Sequence, residues 1–321
     1  MNTLSYSAYE KDAKRGIAAA QFNLGLCFAT GDGVVQNETE AVKWYHRAAD
    51  QNLAEAQYFL GECYHEGMGV SLDVAEAFWW YRKAAEQGHP AAQNNLATYY
   101  RDGLIGPKNS IQAINWYRKA AESGEAIAQF NLGSCYANGE GVEQNDFEAF
   151  KWYQKAAEQG DPTAQFNVGI SYQNGEGVEK NILHAIAWFR KAAENGDITA
   201  QHKLGYCYNK GEGVPRDPIE SLRWYREAAK QNDQIAQFIV GLNCYIGTLG
   251  EPDYIEAVFW YRKAAEQGNA SAQYYLGGCY GKGEGVAKDL NLAANWVKLA
   301  ADQGHPEAIR SYENYCQGKW K

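Results

Sequence analysis

Cysteine and histidine are the residue types in this 321-residue chain that could bridge, hold a metal or supply a nucleophile and its base. Cys27, Cys63, Cys135, Cys207 and Cys279 recur at multiples of thirty-six residues, and Cys244 and Cys316 fall one residue off that column. Equivalent positions of neighbouring helix pairs stand about 10 Å apart, beyond the ~7 Å Cα separation that a disulfide spans. Reduced, packed thiols are therefore expected, in keeping with a cytoplasmic address. His46, His65, His89, His184, His202 and His305 show no metal-ligand spacing, so no metal is expected. No serine is followed three residues later by lysine, and no set of nucleophile, base and orienting group emerges. The expectation is a non-enzymatic chain without a cofactor.

Two further patterns imitate ligand sites. Loops such as Gly139-Glu140-Gly141 suggest phosphate cradles, yet they lack a preceding strand and a P-loop lysine, and they recur in six places as structural glycines would. Their glutamates Glu140, Glu176, Glu212 and Glu284 are expected to be solvated. A basic column, Arg82, Arg118, Arg190, Arg226 and Arg262 beside Lys83, Lys119, Lys155, Lys191 and Lys263, could follow a nucleic-acid backbone. Glu86, Glu122, Glu194 and Glu266 stand four residues after arginines, where a helix would pair them. With 30 Lys and Arg against 39 Asp and Glu, a net charge of −9, a solvated mixed-charge face is expected, with no nucleic-acid partner. The N-terminal stretch lacks the apolar run of a secretory signal, and no run of about eighteen apolar residues occurs anywhere, so no membrane span is expected.

The elements that position these residues follow one period. Trp44, Trp80, Trp116, Trp152, Trp188, Trp224, Trp260 and Trp296 are thirty-six residues apart without a slip, and so are the eight glutamines from Gln21 to Gln273. Within a unit, Ala20, Leu24, Gly25 and Phe28 trace one face of a first helix. Glycines break it, and an unbroken Asn/Asp column from Asn37 to Asp289 then offers N-caps to a second helix. Glu40, Glu76, Glu148, Glu220 and Glu256 stand where a capping box would place them. The second helix ends near glycines such as Gly88 and Gly160, with Asn52 and Asn232 in their place in two units. Pro90, Pro162 and Pro306 fit a first helical turn, and Asp161, Asp197 and Asp233 its N-cap. Eight such units, 17–52, 53–88, 89–124, 125–160, 161–196, 197–232, 233–268 and 269–304, are expected to stack as an all-α solenoid. Residues 1–16 would cap one end as half a repeat and 305–321 the other as a helix.

A unit reading A-x-A-Q-x-x-L-G-x-x-Y, then G-x-G-V, then A-x-x-W-Y-x-K-A-A-x-x-G resembles the Sel-one-like repeat of the tetratricopeptide superfamily. The resemblance implies a right-handed superhelix acting as a scaffold or adaptor, with first helices along a concave groove. Unit 89–124 departs from it with Ala97 for glycine and a Gly-Leu-Ile-Gly-Pro loop; unit 233–268 departs with Cys244 for tyrosine and a Gly-Thr-Leu-Gly-Glu-Pro loop. Locally altered curvature is expected at both.

Positions opposite the packed face of the first helix would line that groove. They carry an aromatic track, Phe22, Tyr58, Phe130, Phe166, Phe238 and Tyr274, interrupted by Asn94 and His202, and an amide track, Asn23, Asn95, Asn131 and Asn167, with Phe59, Lys203, Ile239 and Tyr275 in the other units and Tyr206 nearby. Asparagines can hydrogen-bond the backbone of an extended peptide, and aromatics can supply its pockets. A protein or peptide held in the groove is the expected partner. Two alternatives remain: a regulator or immunity-type protein that blocks one folded partner through loops and rims, and a hydrolase whose site carries no recognisable motif.

Overall fold

The computed structural model describes residues 3–318, so residues 1–2 and 319–321 of the two expected caps lie outside the described residues. Eighteen helices and no strand occur among the described residues. After α1 (Thr3–Lys14) come eight pairs, α2 and α3 (Ala18–Thr30, Glu38–Ala49), α4 and α5 (Ala54–Glu66, Val74–Glu86), α6 and α7 (Pro90–Asp102, Ser110–Glu122), and α8 and α9 (Ala126–Asn138, Asp146–Glu158). They continue with α10 and α11 (Pro162–Asn174, Ile182–Glu194), α12 and α13 (Ile198–Lys210, Pro218–Lys230), α14 and α15 (Gln234–Ile246, Tyr254–Glu266), and α16 and α17 (Ala270–Lys282, Leu290–Asp302), before α18 (Pro306–Cys316). The contacts group the chain into two units, residues up to Ala164 with Glu176–Glu179, and Gln165–Gly175 with Lys180 onward. Inside each unit a helix packs on the helices before and after it in sequence, as a solenoid of tandem repeats requires.

The N-cap column behaves as its chemistry demands. Asn37, Asp73, Asn109, Asn145, Asn181, Asp217, Asp253 and Asp289 each accept a backbone N–H from the first turn of the second helix. The capping-box glutamates do something else. The N-cap N–H already donates to a first-helix carbonyl, as Asn37 does to Phe28 at 2.8 Å and Asn145 to Tyr136 at 2.9 Å. Glu40, Glu148 and Glu220 therefore turn to Lys43, Lys151 and Arg223 on their own helices, and Glu256 takes Arg226. Asn52 and Asn232 are the two described non-glycine residues with positive φ, at 65° and 68°. Pro90 and Pro306 sit in the first helical turn, and Asp197 and Asp233 cap α12 and α14.

A small residue beneath a ring holds the first seven pairs together, and in the eighth Gly277 lies beneath Val297. The Tyr81 ring lies on the backbone of Gly61, where an added Cβ would come within 2.5 Å of it, and Tyr153 covers Gly133 and Tyr225 covers Gly205 in the same way. Ala97 keeps this contact in its repeat, fully buried near a fully buried Tyr117. Trp44, Trp80, Trp152 and Trp224 are buried; the other four periodic tryptophans are half-buried.

The glutamine column has a role that its spacing alone did not disclose. Gln57 Nε2 donates to Ala49 O at 3.2 Å, eight residues back, and its Oε1 accepts from Gln87 Nε2 at 2.6 Å, thirty residues on. Gln129, Gln201, Gln237 and Gln273 repeat both bonds. One buried amide thus ties its first helix to the carboxyl ends of the second helices on either side. At Gln93 the clamp is half-made. Its Nε2 reaches Ala85 O at 3.1 Å, but Ser123 stands where the other repeats have glutamine or asparagine. Ser123 is too short and bonds Lys119 O, leaving Gln93 Oε1 buried with no hydrogen-bond partner.

Candidate functional site

In the first unit the face of the first helices is a half-buried array whose members hold one another. Phe22 packs on Tyr45 and on Phe59, with ring centroids 5.7 and 5.2 Å away. Tyr58 stacks on His89 at 4.6 Å, and Phe130 lies against Tyr153 at 5.6 Å. Asn23 is half-buried beside Phe22. Asn95 donates to Glu62 Oε1 at 2.7 Å, and the same oxygen accepts the Tyr81 hydroxyl at 2.6 Å. Asn131 donates to the buried Asn94 Oδ1 at 2.9 Å, so two of the predicted amides are joined through a residue outside the predicted set. Glu62 was also outside it, although Tyr206 of the same column was inside; that column mixes leucine, glutamate, threonine, serine, isoleucine, tyrosine and glycine, which hid Glu62 from periodic reading.

In the second unit Phe166 rests on Phe189 at 5.4 Å, and Asn167 is half-buried. His202 stands edge-on to Tyr225 and places Nε2 2.7 Å from Asp233 Oδ1. Lys203 reaches over the rings of Phe189 and Tyr206, at 5.9 and 5.8 Å. Tyr206, 44% exposed, is the one predicted site residue that stands out in solvent. The aromatic track is therefore packed against the second helices, with its edges showing.

The charged columns are tied more tightly than their spacing suggested. Only Arg82 pairs with the glutamate four residues on, at 2.8 Å. Arg118, Arg190 and Arg262 instead donate to the hydroxyls of Tyr136, Tyr208 and Tyr280, eighteen residues on, at 3.2, 2.5 and 2.8 Å. Where Cys244 replaces that tyrosine, Arg226 has no hydroxyl to meet and takes both oxygens of Glu256. Lys119, Lys155 and Lys191 lie over Trp116, Trp152 and Trp188 at 4.0–4.1 Å. Two loop glutamates are likewise engaged: Glu212 accepts from Gln173, and Glu284 from the Tyr245 hydroxyl.

The groups available for chemistry are quiet. All seven cysteines are free, and burial pushes the thiols of Cys63, Cys135, Cys207, Cys244 and Cys279 up to about 11. Thiols so shifted are protonated at neutral pH and make poor nucleophiles. Burial likewise pushes Tyr58 and Tyr99 up to about 12.

An apolar ladder escaped the reading of the sequence. At the second position of the second helices, Ile111 (66% exposed) and Phe147 (63%) in the first unit, and Leu183 (68%), Ile219 (65%) and Ile255 (75%) in the second, face solvent. A large apolar residue kept outside at one register position was detectable as a column, although its exposure was not.

The Sel1 repeat pattern matches residues 18–53, 54–89, 90–125, 126–161, 162–197, 198–233, 234–269 and 270–305. The chain belongs to the Sel1 repeat family. Among solved Sel1-type structures, it is similar to a protective antigen of uropathogenic Escherichia coli strains displaying an SLR fold. That antigen is 38% identical with a TM-score of 0.82, the match covering 96% of this chain and 66% of the other. It is also similar to a Sel1 repeat protein from Oxalobacter formigenes, 32% identical with a TM-score of 0.70, covering 96% of this chain and 89% of that one. The chain thus spans about two thirds of the length of the Escherichia coli protein. No curated protein matches it. Among the described residues no helix is long and apolar enough to cross a membrane, and no three His, Cys, Asp or Glu gather as a metal site would need.

Proposed function

We propose that this Sel1-repeat chain is a non-enzymatic protein-binding scaffold, and that the face of its first helices receives the partner as an extended segment. The observation that carries this reading is the pre-set array Tyr81–Glu62–Asn95 with Asn94–Asn131, whose bonds fix the amide rotamers before anything binds. Groups already ordered lose little entropy when they contact a partner. Phe22, Tyr58 and Phe130 offer ring edges in the same unit as those amides, and in the second unit Phe166 offers another, with Lys203 and Tyr206 a cation and an exposed ring. A partner protein read through its backbone suits amides better than a nucleic acid would, given the net charge of −9.

The exposed apolar ladder favours a second reading, a regulator that blocks one folded partner through its rims. Two variants separate the readings. Asn23→Ala, Lys203→Ala and Tyr206→Ala together alter the first-helix face at positions with little structural duty. Phe147→Glu, Leu183→Glu, Ile219→Glu and Ile255→Glu alter the ladder in first helical turns, which tolerate anions. Proteins co-purifying with the wild type are compared with those of each variant, with helicity checked by circular dichroism. Loss of a partner with the first variant alone supports capture along the first helices. Loss with the ladder variant alone overturns that reading in favour of the blocker.

A further inference from the structure

The eighth repeat lacks a ring that every other repeat has. The residue after the periodic tryptophan is Tyr45, Tyr81, Tyr117, Tyr153, Phe189, Tyr225 and Tyr261 in the first seven repeats and Val297 in the last. In the second unit those rings pack against a ring of the first helix, Phe166 on Phe189, His202 on Tyr225 and Phe238 on Tyr261, at 5.4–6.0 Å. Tyr274, which occupies the same first-helix position, stacks on His305 instead. A cavity of about 450 Å³ opens here, lined by Tyr245, Tyr274, Tyr275, Lys282, Leu290 and Val297 among others.

A second observation is independent of the first. Helix α16 carries Gly278 in its interior and Gly281 in its last turn, at positions that hold Leu242 and Tyr245 one repeat earlier. A Cβ at Gly278 would meet nothing within 4 Å, and one at Gly281 would only touch Ala293 at 3.8 Å. Glycine inside a helix is unfavourable, as at Gly278, and neither a close contact nor a positive φ demands it at either place. Both glycines border the cavity, so three departures from the repeat remove side chains around one hole. Enclosed apolar cavities of about 150 Å³ left by a deleted side chain accept benzene; this one is larger, opens to solvent and has polar groups in its lining.

We propose that this cavity is a binding site for an aromatic ring supplied by a partner polypeptide, a tyrosine or phenylalanine side chain that completes the eighth repeat from outside. Tyr245, Tyr274 and Tyr275 give it aromatic walls. The Lys282 ammonium, 2.8 Å from the Tyr245 hydroxyl, and Ser311 border it with polar groups that a phenol can meet. The choice of a polypeptide as the source rests on the scaffold reading, because these walls belong to first-helix positions; the ring-sized hole does not depend on it.

Full-length protein is titrated with p-cresol, N-acetyl-tyrosinamide, N-acetyl-alaninamide and a Gly-Ser decapeptide bearing one central tyrosine, read by saturation-transfer NMR and thermal shift. The wild type is expected to bind p-cresol and N-acetyl-tyrosinamide and not the alanine control. Val297→Tyr, which restores the column, is expected to melt higher and to bind p-cresol at least tenfold more weakly. Gly278→Leu fills the hole from the other helix and serves if Val297→Tyr fails to fold. Absence of p-cresol binding to the wild type, or equal binding to a filled variant, overturns the site. Binding of p-cresol with a peptide that binds more weakly overturns only the polypeptide source and leaves a free aromatic molecule as ligand.

Discussion

Ser123 exposes the value of one hydrogen bond in the stack. Every other repeat supplies an amide at that position to the glutamine thirty residues earlier, and here Gln93 Oε1 is left buried and unbonded. A buried polar atom without a partner costs about 1–3 kcal/mol. Ser123→Gln is expected to raise unfolding stability by about 1 kcal/mol, read from the urea midpoint at constant m-value. Gln129→Ala, which breaks a complete clamp and leaves Gln159 only its bond to Gly124 O, is expected to cost about 2 kcal/mol in the same measurement. The glutamine column was plain in the sequence; its partners were not, since a periodic residue says that it is needed and not what it touches.

The second glycine of five Gly-x-Gly loops, Gly69, Gly141, Gly177, Gly213 and Gly285, fits against the second helix of the preceding repeat. Gly69, with φ at 70°, lies so close to the start of α3 that an added Cβ would fall 2.5 Å from the Glu38 carbonyl. Neither strain can be relieved by a rotamer, because both are set by backbone. Gly69→Ala is expected to destabilise by roughly 2 kcal/mol or more, the sum of left-handed strain and overpacking. Gly88→Ala offers the control: its φ is 91°, nothing lies within 4 Å of its Cβ, and only the strain remains. A smaller loss for Gly88→Ala in chemical denaturation separates the two causes; equal losses would contradict the close packing. Both glycines were legible as helix breakers, and only the folded chain distinguishes the crowded one from the open one.

Across the whole molecule, buried thiols in both units make stability depend on alkaline pH. A thiol held up to about 11 in the folded state but free to ionise near 8.5 when unfolded stabilises the fold fully below about pH 8.5. That contribution is lost as pH rises toward 11, so the urea midpoint is expected to fall steadily across this window. Replacing Cys135 and Cys207 by alanine should flatten the slope; an unchanged slope would assign it to other groups. Native protein at pH 7 should release one equivalent of thiol to Ellman's reagent, from the exposed Cys316, and seven after unfolding.

The thirty-six-residue period, the helix pairs, the caps at Asn37 through Asp289 and the free thiols were all determined by the sequence itself, because each depends on neighbours a few residues away or on a column that repeats. The tertiary structure decided what joins repeats. It sent Arg118, Arg190 and Arg262 to tyrosines eighteen residues on instead of to the glutamates four residues away, joined Asn95 to Glu62, and opened a hole where Val297 replaces a ring. Those outcomes turn on which of several polar or apolar atoms comes within about 3–4 Å once helices pack, and spacing along a chain does not encode that distance.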